Sequence, residues 1–254
     1  MKPFFQAKDI CFSYDGSKNG LDAFSIELQK GSLTALLGQN GCGKSTFLDT
    51  VIGYHRPQTG SIEVDGQSLA DLSVREIARL ISYVPQSVLL NIDYSVFDFI
   101  LFGRSPYIDP WKKPSKNDYD IALFNAERVG LVPLLEKSIT KISGGEKQLA
   151  CIARSLAQES PFILLDEPTA SLDFGNQARL FRILKDLSNE GKTVLFTTHN
   201  PNHIVSLGCN VAVMKAGRIV SCGSFEEVLS DSVLSNLYEE EIVRTNDGHF
   251  DCRI

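Results

Sequence analysis

The stretch Leu33–Thr34–Ala35–Leu36–Leu37–Gly38–Gln39–Asn40–Gly41–Cys42–Gly43–Lys44–Ser45 changes its pattern halfway along. Leu33 to Leu37 is a near-continuous apolar run, as expected of a strand buried on both faces. Gly38 ends it. Beyond the glycines, Phe47, Leu48, Val51 and Ile52 fall on one helical face, which Gly53 closes. The order is strand, glycine loop, helix. From Gly38 to Ser45 the loop fits G-x-x-x-x-G-K-[ST] without a departure. Glycines there let backbone N–H groups converge on phosphate oxygens, and the helix N-terminus adds its dipole. Lys44 supplies a mobile positive charge for the β- and γ-phosphates of a nucleotide, and the Ser45 hydroxyl a ligand for Mg²⁺.

Outward from this stretch, the buried-strand pattern returns at Phe162–Leu165, Thr193–Thr198 and Val211–Met214, separated by helical segments. An α/β fold with a mostly parallel sheet and covering helices follows. The N-terminal part reads differently. Ile10, Phe12 and Tyr14 share one strand face, and Phe24, Ile26 and Leu28 another, with a turn at Asp15–Gly16 and a corner at Asn19–Gly20 between them. This predicts an antiparallel β portion. Between about 87 and 142, Ser95 precedes the apolar run Val96 to Phe102. A loop with Pro106, Pro110 and Pro114 follows, and Ser115 with Asp118 caps a helix through Val129. That stretch is expected to be a helical lobe inserted into one domain spanning 1–254, whose nucleotide-binding core is 1–86 and 143–254. Ile242–Thr245 and His249–Cys252 flank Asn246–Asp247–Gly248, a terminal hairpin.

Two further stretches carry chemistry. In Phe162–Ile163–Leu164–Leu165–Asp166–Glu167 a buried strand delivers Asp166 at its carboxyl end, where ligands of parallel sheets collect. Asp166 is suited to hold Mg²⁺, and Glu167, pointing elsewhere, to polarise an attacking water. In Ile142–Ser143–Gly144–Gly145–Glu146, Ser143 and Glu146 form a capping box for a helix with Leu149, Ile152, Ala153 and Leu156 on its apolar face. Gly144 and Gly145 strip that helix N-terminus of side chains, as for a second phosphate. One chain then has two phosphate-binding helix ends, and a single nucleotide need not use both from one copy.

At these residues the chain resembles the ABC ATPases, over nearly its whole length. Ser143 to Glu146 are similar to the family signature, with Ile142 for the usual leucine and Glu146 for the frequent glutamine. The resemblance implies a P-loop NTPase cassette of ABC type, with ATP and Mg²⁺ as cofactors. Gly38, Asn40, Gly41, Cys42, Gly43, Lys44, Ser45 and Thr46 then wrap the phosphates. Tyr14 sits where the family stacks an aromatic ring on adenine. Gln86, in Tyr83–Val84–Pro85–Gln86, matches the glutamine that senses Mg²⁺ and links to the helical lobe. Ser171–Leu172–Asp173 resembles the loop that crosses to the partner subunit, and His199 the histidine that contacts the γ-phosphate. The implied catalytic set is Glu167, His199, Gln86 and Lys44, and the implied metal ligands are Ser45, Gln86 and Asp166. Plainer readings stand beside these: Tyr14 as a strand aromatic, Gln86 as a surface amide, His199 as a strand-end histidine. The family's two-fold pairing would place the glycine loop of one subunit against the signature of the other, with ATP buried between them and hydrolysis opening the pair.

Bulk properties narrow the class. With 31 acidic and 25 basic residues the net charge is −6, which leaves no basic stripe for nucleic acid. The short cluster Lys112, Lys113 and Lys116 reads as a solvated loop. Six scattered cysteines without C-x-x-C spacing fit free thiols in a reducing compartment. No apolar run approaches the ~20 residues of a membrane helix, and Met1 to Phe5 lacks the core of a signal peptide. An importer ATPase, a non-transport ABC ATPase of DNA repair or the ribosome, and a nucleotide-dependent scaffold compete. A single cassette, an acidic surface, a modest lobe and the presence of both Glu167 and His199 favour the importer; an exporter would usually carry its own membrane helices. Tyr94–Ser95–Val96–Phe97–Asp98–Phe99–Ile100 through Gly103–Arg104–Ser105–Pro106–Tyr107, with Thr198–His199–Asn200–Pro201–Asn202, is similar to ATPases serving iron–siderophore, haem, cobalamin and molybdate uptake. Iron–siderophore is the first expectation and an unrelated cargo the alternative. The implied setting is peripheral, on the cytoplasmic face of the inner membrane. The implied partners are an identical or paralogous cassette, permease subunits and, indirectly, a substrate-binding protein.

Overall fold

The computed structural model describes residues 2–14, 20–86 and 93–253. The turn expected at Asp15–Gly16, residue Asn19 of the next corner, and the first residues of the expected lobe, 87–92, lie outside the described residues. Strands β1 (Phe5–Phe12), β2 (Leu21–Leu28) and β3 (Leu33–Leu37) lead into helix α1 (Lys44–Val51), then β4 (Thr59–Val64) and β5 (Gln67–Ser68). Next come α2 (Val74–Leu80), β6 (Ile81–Val84), α3 (Val96–Leu101), α4 (Lys116–Arg128), α5 (Gly144–Ala157), β7 (Phe162–Leu165) and α6 (Phe174–Asn189). The chain continues through β8 (Thr193–Thr198), α7 (Pro201–Leu207), β9 (Asn210–Lys215), β10 (Arg218–Ser224), α8 (Phe225–Val228) and α9 (Asp231–Tyr238). It ends in the hairpin of β11 (Ile242–Arg244) and β12 (Phe250–Cys252). Chain contacts divide it into two compact units: one runs up to Asp71 and resumes at Thr193, the other is Leu72–Lys192.

In the first unit, β3 runs parallel to β8 on one side and β9 on the other, and β10 adds antiparallel to β9. Flanked on both edges, β3 buries all of its residues, Thr34 included. An antiparallel sheet in the order β2-β1-β4-β5 accompanies it. Helix α1 is pinned to that sheet through Phe47, whose ring lies 4.2 Å from Phe24 and 6.3 Å from Phe5. All three side chains are fully buried, so the helix that opens at Lys44 starts from an immobile base.

The expected strand face of Ile10, Phe12 and Tyr14 needs correction. Tyr14 lies past the end of β1 and is 55% exposed. The strand stops at Phe12, two residues short of Tyr14. It is also bulged earlier: Asp9 has φ 49° and the β1–β2 register shifts after Ala7 and again after Ile10. Inward positions are therefore Phe5 and Ala7 before the bulge and Ile10 after it, because one extra residue reverses the alternation. Strand β2 carries a matching left-handed residue at Ala23, yet buries Phe24, Ile26 and Leu28 on one face as the pattern predicts.

In the second unit β6 and β7 pair in parallel, Val84 opposite Leu165, and α3, α4 and α5 pack on one another. Ser95 caps α3, and Ser115 with Asp118 forms the capping box of α4, which ends at Val129. Asp98, a polar residue within an apolar run, turns out to belong to the cap: Ser95 Oγ donates to its carboxylate at 2.6 Å. The stretch from Gly103 to Tyr107 forms an interior clamp. Arg104 is 5% exposed and donates to Asp118 Oδ1 at 3.0 Å, to Ala157 O at 2.8 Å and to Glu159 Oε2 at 2.7 Å, while its guanidinium lies 4.5 Å from the Tyr107 ring centre. Burial pushes the Asp118 carboxyl up, but hydrogen bonds from Ser115 and Arg104 outweigh it and hold it below the usual range. At Gly103 a Cβ would stand 2.2 Å from Arg154 O, so only glycine lets the segment lie against α5. Arg104→Met keeps the bulk but leaves Asp118 buried without its cation. It should cost about 3–5 kcal/mol in urea unfolding, as for other half-broken buried pairs. Glu159→Gln, on a half-exposed carboxylate, should cost less than about 1 kcal/mol. Equal effects would mean that Asp118 does not depend on Arg104.

Candidate nucleotide-binding site

Within the first unit the glycine loop curls tightly between β3 and α1. Gly38 N–H donates to Thr198 O at 3.3 Å, and Gly217 N–H to Cys42 O at 2.9 Å. Two of its glycines are required by the chain itself. A Cβ on Gly38 would meet Met214 O at 2.7 Å, and one on Gly43, which has φ 110°, would meet Met214 Cε at 2.8 Å. Gly43 caps α1 through its backbone alone, so the first turn of α1 is left without a capping side chain. Lys44 is buried and its Nζ donates to Gly38 O at 2.8 Å and Gln39 O at 3.1 Å. The ammonium is thereby folded back onto the start of the loop. Ser45 is exposed at the helix start, and Thr46 is buried beside it.

Tyr14 lies near this helix start, its hydroxyl 3.5 Å from Thr46 Oγ1 and 3.2 Å from His55 Nε2. Sequence reading missed its companions: His55 stacks on Phe12 at 4.6 Å, and Tyr14 meets both rings edge-on. A lone histidine past the end of a helix carries no local signal of such a cluster. His199 follows β8 in the same unit and is exposed, and its carbonyl accepts from Tyr238 Oη at 2.5 Å. Asn200 caps α7.

The other expected residues lie in the second unit. Gln86 follows β6, and Asp166 ends the adjacent β7, its N–H donating to Val84 O at 2.8 Å. Both stand at the carboxyl ends of neighbouring parallel strands. Asp166 and Glu167 are nearly buried, 4% and 9% exposed. Glu167 has φ 41°, a left-handed backbone that bulky residues rarely adopt. Ser143 and Glu146 complete a full capping box on α5. The Ser143 N–H donates to the Glu146 carboxylate at 2.7 Å and, with the Ser143 hydroxyl, holds that carboxyl below the usual glutamate range. Leu149, Ile152, Ala153 and Leu156 are buried as the helical pattern predicts. Asp173 caps α6, accepting from Asn176 N at 2.8 Å and from its side-chain amide at 3.0 Å. It thus has a structural duty in its own chain.

The paired glycines differ. A Cβ on Gly145 would meet Ser171 O at 3.1 Å, but around Gly144 no described atom beyond its chain neighbours and its own helix backbone lies within 4 Å of that position. Gly144 also lacks a positive φ. Nothing described in its own chain calls for glycine there. For magnesium, the candidates Ser45, Asp166 and Gln86 offer a hydroxyl, a carboxylate and an amide. These hard oxygen donors suit that ion.

Similarity to known proteins identifies the family. The model of the ABC transporter family matches residues 21–170. The molybdate import ATP-binding protein MolC of Haemophilus influenzae is 36% identical over 94% of this chain and 89% of its own. The iron(3+)-hydroxamate import ATP-binding protein FhuC of Bacillus subtilis is 31% identical over 91% and 88%. Among solved structures, one described as a metal-chelate type ABC transporter in an inward-facing conformation superposes with a TM-score of 0.84 at 34% identity. It covers 100% of this chain and 98% of that one.

Removing the ammonium from the loop is the simplest test of this half of the site. Lys44→Ala should weaken ATP binding by roughly 10- to 150-fold in calorimetric titration, the equivalent of one charge-assisted contact of about 1.5–3 kcal/mol. Unchanged affinity would remove the glycine loop from the nucleotide site.

Proposed function

We propose, from the premise that this chain belongs to the ABC transporter family, that it energises uptake of a metal chelate or oxyanion through a separate membrane permease. ATP binding and hydrolysis are the family's activity, and its ATP-binding subunits work with permease components as importers. The relatives named for molybdate and for iron–hydroxamate import support a chelate or oxyanion cargo, iron–siderophore first. No helix among the described residues is long and apolar enough to cross a membrane. A peripheral position on the cytoplasmic face of the inner membrane, beneath that permease, fits the proposal.

The observation that carries the catalytic reading is Gly144. A helix N-terminus bared by a glycine that its own chain does not need is suited to an anion delivered from outside. We therefore assign the phosphates of ATP to Gly38–Thr46 of one copy and to Ser143, Gly144, Gly145 and Glu146 of a second, the two related by a two-fold axis. Tyr14 is assigned to the adenine and Asp173 to the crossing loop. Lys44 neutralises the β- and γ-phosphates. Ser45, Asp166 and Gln86 would hold Mg²⁺, which when bound offsets phosphate charge. Glu167 orients the water and His199 contacts the γ-phosphate. This division of labour is mostly positioning and charge stabilisation. The stretch 87–142 is assigned to the helical lobe that meets the permease, inserted in a single cassette whose core is 1–86 and 143–254.

A groove in the second unit supports that docking role. A cavity of about 570 Å³ is lined by Tyr94, Leu101, Phe102, Ile108 and Pro110 among others. Tyr94 and Phe102 are 42% and 43% exposed and pack edge to face. Asp98 is a poor place to probe it, because a charge reversal there also breaks the α3 cap. Phe102→Lys leaves that cap alone. It should abolish co-purification with the permease while basal ATPase activity stays within about 2-fold, and a normal complex would place the docking surface elsewhere.

Glu167→Gln keeps size and hydrogen-bonding reach but cannot act as a base. ATP binding should persist while hydrolysis falls at least ~10²-fold, the lower range for losing a positioned base. Phosphate release assays on the purified chain measure this directly, and near-normal turnover would end the assignment of Glu167.

A further inference from the structure

The turn that carries His199 is held from behind by the C-terminal end of the same unit. Helix α9 ends at Tyr238, where Glu239 turns the chain with φ 61°. Lys215 Nζ fixes that end by donating to Asn236 O at 2.6 Å and pairing with Glu239 at 3.5 Å. From this anchored position Tyr238 Oη donates to His199 O. One turn further on, Asn202 makes a two-way amide pair with the hairpin: its Nδ2 donates to Phe250 O at 3.0 Å, and its Oδ1 accepts from Phe250 N at 2.8 Å. Thr198 Oγ1 and His203 Nδ1 lie 3.1 Å apart across the same turn. His199, Asn202, Tyr238 and Phe250 together line a cavity of about 400 Å³.

His199 itself is exposed, yet its carbonyl accepts its hydrogen bond from a side chain of the same unit. The donor is the phenol of the half-buried Tyr238, and burial drives its pKa far above the ordinary tyrosine value. The hydroxyl is therefore a neutral donor at any physiological pH. A donor of fixed charge on the backbone of an exposed histidine restricts where the imidazole can go without competing for its ring nitrogens.

We infer that Tyr238 is a positioning residue that acts through His199, setting the ring for contact with the γ-phosphate. The inference rests on the assignment of His199 to ATP hydrolysis. In its own terms, Tyr238 contributes when the ring must be in place, which is the transition state, and little to nucleotide binding.

Steady-state ATPase measurements on the full chain test this with Tyr238→Phe, which removes one oxygen and keeps the ring. The expected result is a fall in kcat of about 3- to 10-fold, with KM for ATP within about 2-fold and the thermal midpoint nearly unchanged. In a His199→Ala background the same substitution should have no further effect. The chain has only four histidines, His55, His199, His203 and His249. Imidazole NMR should therefore show the His199 ring resonances shifted or broadened by Tyr238→Phe while those of His55 stay in place. An unchanged kcat with unchanged His199 resonances would overturn the inference, as would an equal loss in both backgrounds. Full turnover by His199→Ala alone would instead bring down the role of His199 on which the inference stands.

Discussion

The glycine loop keeps its curl because backbone presses directly on backbone. Gly38 bonds to the carbonyl of Thr198 at the end of β8, Cys42 O is held by Gly217 beyond β9, and the loop has no room for a Cβ at Gly38 or Gly43 against Met214. Much of the first unit follows from that contact. It fixes where α1 begins, and Phe47, wedged against Phe24 and Phe5, fixes how α1 runs. It also ties the glycine loop to the residue before His199, one peptide away from that histidine. Tyr238 and Asn202 brace the same turn from its other side. Close-packed backbone of this kind moves as a body or not at all.

Glycines of two kinds separate what the chain needs for folding from what it needs for function. Gly38, Gly43 and Gly103 answer to neighbours in their own chain, each with an atom closer than 3 Å to the place of a Cβ. Gly144 answers to no described neighbour. Alanine would sit at that first helical position at least as well, since helices favour it over glycine. A residue that the fold would readily exchange, set at the bare N-terminus of a well-capped helix, is what the proposed assignment of this helix end to an anion rests on. The capping box formed by Ser143 and Glu146 then explains why this end stays ordered while open. The departure of Glu146 from the family's frequent glutamine leaves that box intact.

Local patterns were legible in the sequence and long-range ones were not. Leu33 to Leu37 announced a strand buried on both faces, and the caps at Ser115 and Ser143 were readable because a cap is an interaction across three residues. The bulge at Asp9 was not, since it changes only which residues face inward, and Tyr14 was counted into a strand that stops at Phe12. Gly103 to Tyr107 was visible as a family-like stretch without its reason. Arg104 finds Glu159 55 positions along the chain, a contact that no window of periodicity contains. The same holds for Tyr238 and His199, 39 positions apart. The glycine loop between β3 and α1 was legible, since its pattern is written in adjacent positions.

The central claim is that a competent site takes its glycine loop from one copy and its signature helix from another. Mixing two inactive variants tests it most directly. Lys44→Ala disables the loop and leaves the signature intact. Gly144→Asp disables the signature while keeping the helix, because an acidic side chain in the first turn suits the helix dipole and has open space around it. Each alone should be inactive. In a mixed dimer, one of the two sites pairs an intact loop with an intact signature. An equimolar mixture should therefore recover about a quarter of wild-type ATP hydrolysis. No recovery at any ratio would contradict the account, and would place each site within a single chain.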